Sequence, residues 1–127
     1  MSLEHFVAAQ EPLYQRVLDE LRAGKKRSHW MWFIFPQLAG LGSSPMARRY
    51  ALSSVEKARA YLAHPLLGPR LKACVELLNA VEGRTIQAIL GPPDDLKLRS
   101  CLTLFLHAGA PPCFQQALDK YYEGQED

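Results

Sequence analysis

Cysteine is too scarce and too scattered in this sequence to build a covalent or metal-held frame. Cys74, Cys101 and Cys113 are odd in number and lack Cys-x-x-Cys spacing, so neither a disulfide framework nor a zinc site is expected. They are read as reduced thiols. No apolar run approaches the length that crosses a bilayer, and Met1-Ser2-Leu3-Glu4-His5 has neither a basic n-region nor an apolar h-region. The expectation is a cytoplasmic protein with no membrane partner. No stretch alternates apolar and polar residues convincingly, which argues against a sheet, and there is no low-complexity tract or solenoid-length repeat. One sign of charge does not dominate either: the formal net charge of +2 is too small to argue for a nucleic-acid partner, although Arg22, Lys25, Lys26 and Arg27 cluster, as do Arg48 and Arg49.

What is present is apolar residues at helical spacing. The 127 residues are 48% hydrophobic and 22% charged, values of a folded domain and not of a disordered chain. One domain spanning residues 1–127 is expected, all-α, as a compact irregular array of about six to eight short helices. Leu71, Cys74, Val75, Leu78 and Val81 recur as one buried face, while Lys72, Glu76 and Asn79 fall outside it. Ser44-Pro45, Ser54 and Thr85 read as helix starts, and Gly24, Gly83 and Gly109 as stops. Pro12 makes the first stripe one kinked helix or two short ones. The acidic tail from about Glu123 is expected to fray.

The densest feature is Lys25-Lys26-Arg27-Ser28-His29-Trp30-Met31-Trp32-Phe33-Ile34-Phe35-Pro36-Gln37, where three cations run into an aromatic segment holding both tryptophans. Leaving Trp30, Trp32, Phe33 and Phe35 in water would forfeit roughly 1.5–3 kcal/mol each, so the segment is expected to be buried or to cover a site. A short helix ending before Pro36 is predicted, because a lone strand would have nothing to pair with.

His29 to Gln37, then Tyr50-Ala51-Leu52 with Tyr61-Leu62-Ala63-His64-Pro65-Leu66-Leu67-Gly68, and Asp94-Asp95-x-Lys97-x-x-Ser100-x-x-Thr103-Leu104-Phe105, resemble the motifs of the domain of unknown function 1810 family. The resemblance covers nearly the whole chain. It implies a small all-α fold of cytoplasmic bacterial proteins and no established activity. The family pattern has a second serine where this chain has Cys101. Some relatives are labelled calpastatin, but calpastatin-like inhibitor segments are disordered and polar, unlike this chain, so protease inhibition is not predicted.

Two constellations could carry chemistry. His29 could bind an anion or donate a proton, or be a capping or core histidine. Trp30 and Trp32 could stack on a base while Lys26 and Arg27 reach phosphate oxygens, with Gln37 reading a polar edge and Tyr50 joining the Arg48–Arg49 pair; the alternative is that these rings are core. Asp94 and Asp95 with Lys97 and Ser100 form the second group, where a carboxylate could activate water, or simply favour the first turn of a helix. Asp95 is preferred to Asp94 on the family motif. Cys113, before the last helix, could be a reactive thiol or a core residue. The functional expectation is a binding or enzymatic module for a small anionic, possibly nucleotide-like ligand. Asp95 and His29 are the candidate catalytic residues, and Lys26, Arg27, Trp30, Trp32, Gln37, Tyr50, Lys97 and Ser100 the candidate binding residues. No cofactor or metal is expected. The rivals are a protein-interaction module without catalysis and a hydrolase of N-glycosidic or ADP-ribose-type bonds. Oligomeric state is not legible.

Overall fold

The computed structural model describes residues 2–127. Its elements are α1 (Glu4–Gln10), α2 (Tyr14–Arg22), α3 (Met31–Ile34), α4 (Pro45–Arg49), α5 (Val55–Ala63), α6 (Leu67–Ala80), α7 (Ile86–Leu90), α8 (Asp94–His107) and α9 (Pro112–Tyr122). The all-α expectation holds. Pro12 divides the first stripe into α1 and α2 and brings the helices to nine among the described residues, above the six to eight expected.

The boundaries follow local chemistry. Ser44 Oγ accepts the Ala47 N–H, Ser54 Oγ the Lys57 N–H and Thr85 Oγ1 the Ala88 N–H, each capping a helix start. At α6 a histidine does this work: His64 Nδ1 accepts the N–H groups of Leu66 and Leu67 at 3.1 and 3.3 Å. Gly68 is required just beyond, since a Cβ there would lie 2.0 Å from the Leu62 carbonyl oxygen where α5 meets α6. Among the described residues the extended pairing is one parallel bridge, Leu38 to Leu52, closed by Ala39 N–H to the Leu52 carbonyl and Leu52 N–H to the Gln37 carbonyl.

Helix α6 packs against α2, α5 and α9, while α8 packs against α5, α7 and α9, so the two longest helices share a core that α5 and α9 bridge. Leu71, Cys74, Val75 and Leu78 of α6 are buried as their spacing predicts, facing a core that also contains Leu98, Cys101, Leu102 and Phe105 of α8. Phe105 joins Tyr61 and Phe114 at ring separations of 5.4 and 6.0 Å. A polar contact runs through this core: Gln10 Nε2 donates to the Phe33 carbonyl at 2.7 Å and to the Tyr61 hydroxyl at 3.0 Å. Burying Gln10 is tolerable because its amide is satisfied from α1 across to α3 and α5.

The tail does not splay as expected. After α9 the backbone turns through left-handed Glu123 and Gly124 and lies along α8, where Asp127 meets Arg99, Ser100 and Thr103 and Glu126 meets His107. Paired carboxylates supply the attachment that composition alone did not reveal.

Candidate functional site

The loop from Lys25 to Trp30 is shaped by one residue that the sequence reading passed over. Glu20, buried near the end of α2, accepts the N–H groups of Arg27 (2.7 Å) and Ser28 (3.1 Å), the Ser28 hydroxyl (2.7 Å) and the Trp30 indole N–H (2.9 Å). Burial alone would raise its pKa. The hydrogen bonds from Arg27, Ser28 and Trp30 outweigh that and hold the carboxyl at about 2. The Lys26 N–H also donates to the Ile89 carbonyl at 2.7 Å, tying the loop to α7.

Held this way, the cationic run meets the start of α8. Lys26 Nζ lies 3.1 Å from Asp94 Oδ2 and 5.1 Å from the centre of the Trp30 ring, while Lys97 Nζ lies 3.8 Å from Asp94 Oδ1 and 5.8 Å from that of Trp32. Asp94, and not Asp95, therefore takes the cations. Its carboxylate also sits in the first turn of α8, where the helix dipole favours it. Asp95 is turned inward, 6% exposed, with Oδ2 accepting from Gln87 Nε2 at 3.3 Å and Oδ1 buried without a partner among the described residues.

The other expected residues are dispersed. Trp30 is wholly buried and Trp32 half-buried, so the aromatic run is chiefly core. His29 is exposed, and Arg27 serves Glu20 through its backbone with its side chain in solvent. Gln37 contributes its carbonyl to Leu52. Tyr50 lies at the far side of α3, packed on Phe33 at 5.4 Å, Phe6 at 5.6 Å and His5 at 5.6 Å. Ser100 stands on another face of α8, beside the tail. Of these residues, Lys97 joins the Asp94 cluster, while Gln37 and Tyr50 make their contacts with Leu52 and with Phe6 and Phe33. Helical spacing could not show which side of each element would face a neighbour. Among the described residues no three His, Cys, Asp or Glu side chains gather as a metal-ion set.

A concave, cation-rich site exists elsewhere. A cavity of about 400 Å³ is lined by Ser2, His5 and Phe6 from the first helix and its approach, Arg48 and Arg49 from α4, and Ser53 and Lys57 near α5. Arg49 rests over the Tyr50 ring at 5.6 Å, and Arg48 donates twice to the Ser43 carbonyl. Neither arginine is in an ion pair among the described residues, in contrast to Lys26 and Lys97. A second cavity, of about 360 Å³, is bounded by Leu38, Leu41, Val55 and Leu104 with Ser100, Thr103, His107 and Asp127.

The profile of the family described as Protein of unknown function (DUF1810) matches residues 1–127. The chain belongs to this family. A similar solved structure is the crystal structure of the conserved hypothetical protein Rv1873 from Mycobacterium tuberculosis. It is 61% identical, with a TM-score of 0.97, covering 98% of this chain and 90% of that one. No curated protein matches. Within this DUF1810 chain, the residues missed from sequence are Glu20, His5 and Gln10. Only Glu20 left a trace, as an acidic side chain ahead of a basic loop rich in N–H donors. Of the two readings of Cys113, the core residue fits: it is buried, and burial, with Glu76 nearby, pushes its thiol up, opposite to activation at a helix start.

Proposed function

We propose that this DUF1810 protein binds a small phosphorylated ligand of nucleotide-like character in the cavity between His5, Arg48, Arg49 and Ser53. The observation that carries the reading is a concave site of about 400 Å³ lined by two arginines and a histidine, with neither arginine in an ion pair among the described residues. Arginine presents forked donors suited to phosphate oxygens, and Ser2 and Ser53 offer hydroxyls at the rim. The His5 ring, stacked on Tyr50 with a 17° interplanar angle, gives a flat wall against which a planar group can lie.

Binding is preferred to hydrolysis because Asp95, the expected base, is buried against Gln87 and outside this cavity. Docking of a partner through the aromatic segment loses its basis with Trp30, Phe33 and Phe35 buried.

The test compares melting of wild type and an Arg48→Ala/Arg49→Ala double variant with inorganic phosphate, ADP, NAD and ADP-ribose. Both arginines are exposed, so the variant should fold. A ligand at about 100 times its Kd stabilises the native state by about 2.7 kcal/mol, a readily measured shift. The expected result is a shift in wild type that the variant loses. No shift with any ligand at millimolar concentration overturns the function, and a shift retained by the variant overturns the site.

A further inference from the structure

One face of α8 already holds a carboxylate. The Ser100 hydroxyl donates to Asp127 Oδ2, Arg99 Nη2 lies 3.5 Å from Asp127 Oδ1, and the Asp127 N–H donates to Thr103 Oγ1 at 3.0 Å. The Arg99 guanidinium is not spent by this contact, since its Nε is buried without a partner among the described residues. Ser100, Thr103 and Asp127 border the cavity of about 360 Å³ whose other walls are Leu38, Leu41, Val55, Leu104 and His107, the last held by Glu126. Leu38 and Leu41 are among the few large apolar side chains left exposed, at 36% and 56%, and both border it. A carboxylate-binding end and an apolar body in one cavity are complementary to an amphipathic monoanion.

We propose that this cavity binds a monocarboxylate with an unbranched hydrocarbon chain, and that Asp127 occupies its carboxylate subsite in cis until such a ligand displaces it. Ser100 takes the head group at the cavity wall, Arg99 meets it from outside the lining as it now meets Asp127, and the four apolar side chains cover the hydrocarbon. The cavity shares no lining residue with the His5 cavity, and its walls carry no guanidinium where that one carries two. The inference therefore stands apart from the phosphate-binding site.

Displacement predicts a competition. While the tail holds the subsite, the observed affinity is the intrinsic affinity multiplied by the fraction of molecules whose tail is released. Decanoate below its micelle concentration is the probe, with decanol and acetate as controls. Titration calorimetry reads affinity, and methyl NMR shifts of Leu38, Val55 and Leu104 read the location. Decanoate should bind wild type and bind Asp127→Ala about three- to tenfold more tightly. Decanol and acetate should bind far more weakly, Leu41→Glu should weaken decanoate by placing a like charge at the mouth, and Arg48→Ala/Arg49→Ala should leave it unchanged. Binding by Asp127→Ala alone also supports the proposal, as complete closure by the tail. Equal affinity for decanol, no gain in Asp127→Ala, absence of binding to both proteins, or competition by inorganic phosphate would each overturn it.

Discussion

The carboxylate of Glu20 accepts the indole N–H of Trp30 at 2.9 Å, across the tight loop that separates them in sequence. The same carboxylate gathers two backbone N–H groups and a hydroxyl from that loop. It thereby sets the path along which Lys26 reaches Asp94. A single acidic residue on α2 decides how the most aromatic part of the chain enters the core.

Replacing it should grade stability by how many donors lose their acceptor. Glu20→Gln keeps a carbonyl oxygen for the three donors to Oε1 but loses the charge, so it should cost about 1–2 kcal/mol. Glu20→Ala strands the wholly buried Trp30 indole and neighbouring N–H groups, at about 1–3 kcal/mol for each buried unpaired donor, giving a total of about 3 kcal/mol or more. Urea midpoints of both variants against wild type measure the series. Equal midpoints for all three would show that solvent satisfies the loop.

The pH dependence follows from the same contacts. The Glu20 pKa is depressed to about 2 from an ordinary 4.5, so below 4.5 the unfolded chain takes up a proton that the folded protein still refuses. The stabilisation is full above about pH 5 and falls away as pH drops toward 2. Glu20→Gln lacks this component. The gap in unfolding free energy between the two proteins should therefore hold from pH 6 to about pH 5 and narrow from there to pH 2.5, and a constant gap throughout would contradict the assignment.

On α6, Leu78→Ala should leave a cavity in the shared core and cost about 2–5 kcal/mol. Lys72→Ala, one residue beyond the buried Leu71 and in solvent, should cost a few tenths, within about 0.5 kcal/mol. Denaturant midpoints that coincide would mean that the buried stripe is misplaced.

The thiols should be inert in the folded protein. Burial pushes Cys74 up to about 12 and raises Cys101 and Cys113 as well, leaving little thiolate at pH 8. Iodoacetamide should label none of them rapidly under native conditions and all three in urea. Fast native labelling of Cys113 would restore the reactive-thiol reading.

Helices α5, α6, α7 and α8 were legible because their signals are local: a capping hydroxyl, a proline or glycine stop, and apolar residues recurring every three or four positions. These depend only on short-range geometry, so Ser54, Thr85 and the Leu71–Leu78 stripe could be read without a fold. That Asp94, and not Asp95, takes the cations at the start of α8 was not legible. Adjacent residues on a helix point about 100° apart, and only packing against α7 and α9 settles which of the two turns inward. Gln10 and His5 carried no local mark of their roles, and Glu20 only its place ahead of a basic loop, because each acts on a partner from a different element. The sequence by itself determined an all-α chain, its helix limits and its buried stripes. Tertiary structure alone decided that Tyr50 and Arg49 would face His5, and that Asp127 would return to Arg99 and Ser100, since these contacts arise only when the helices are docked.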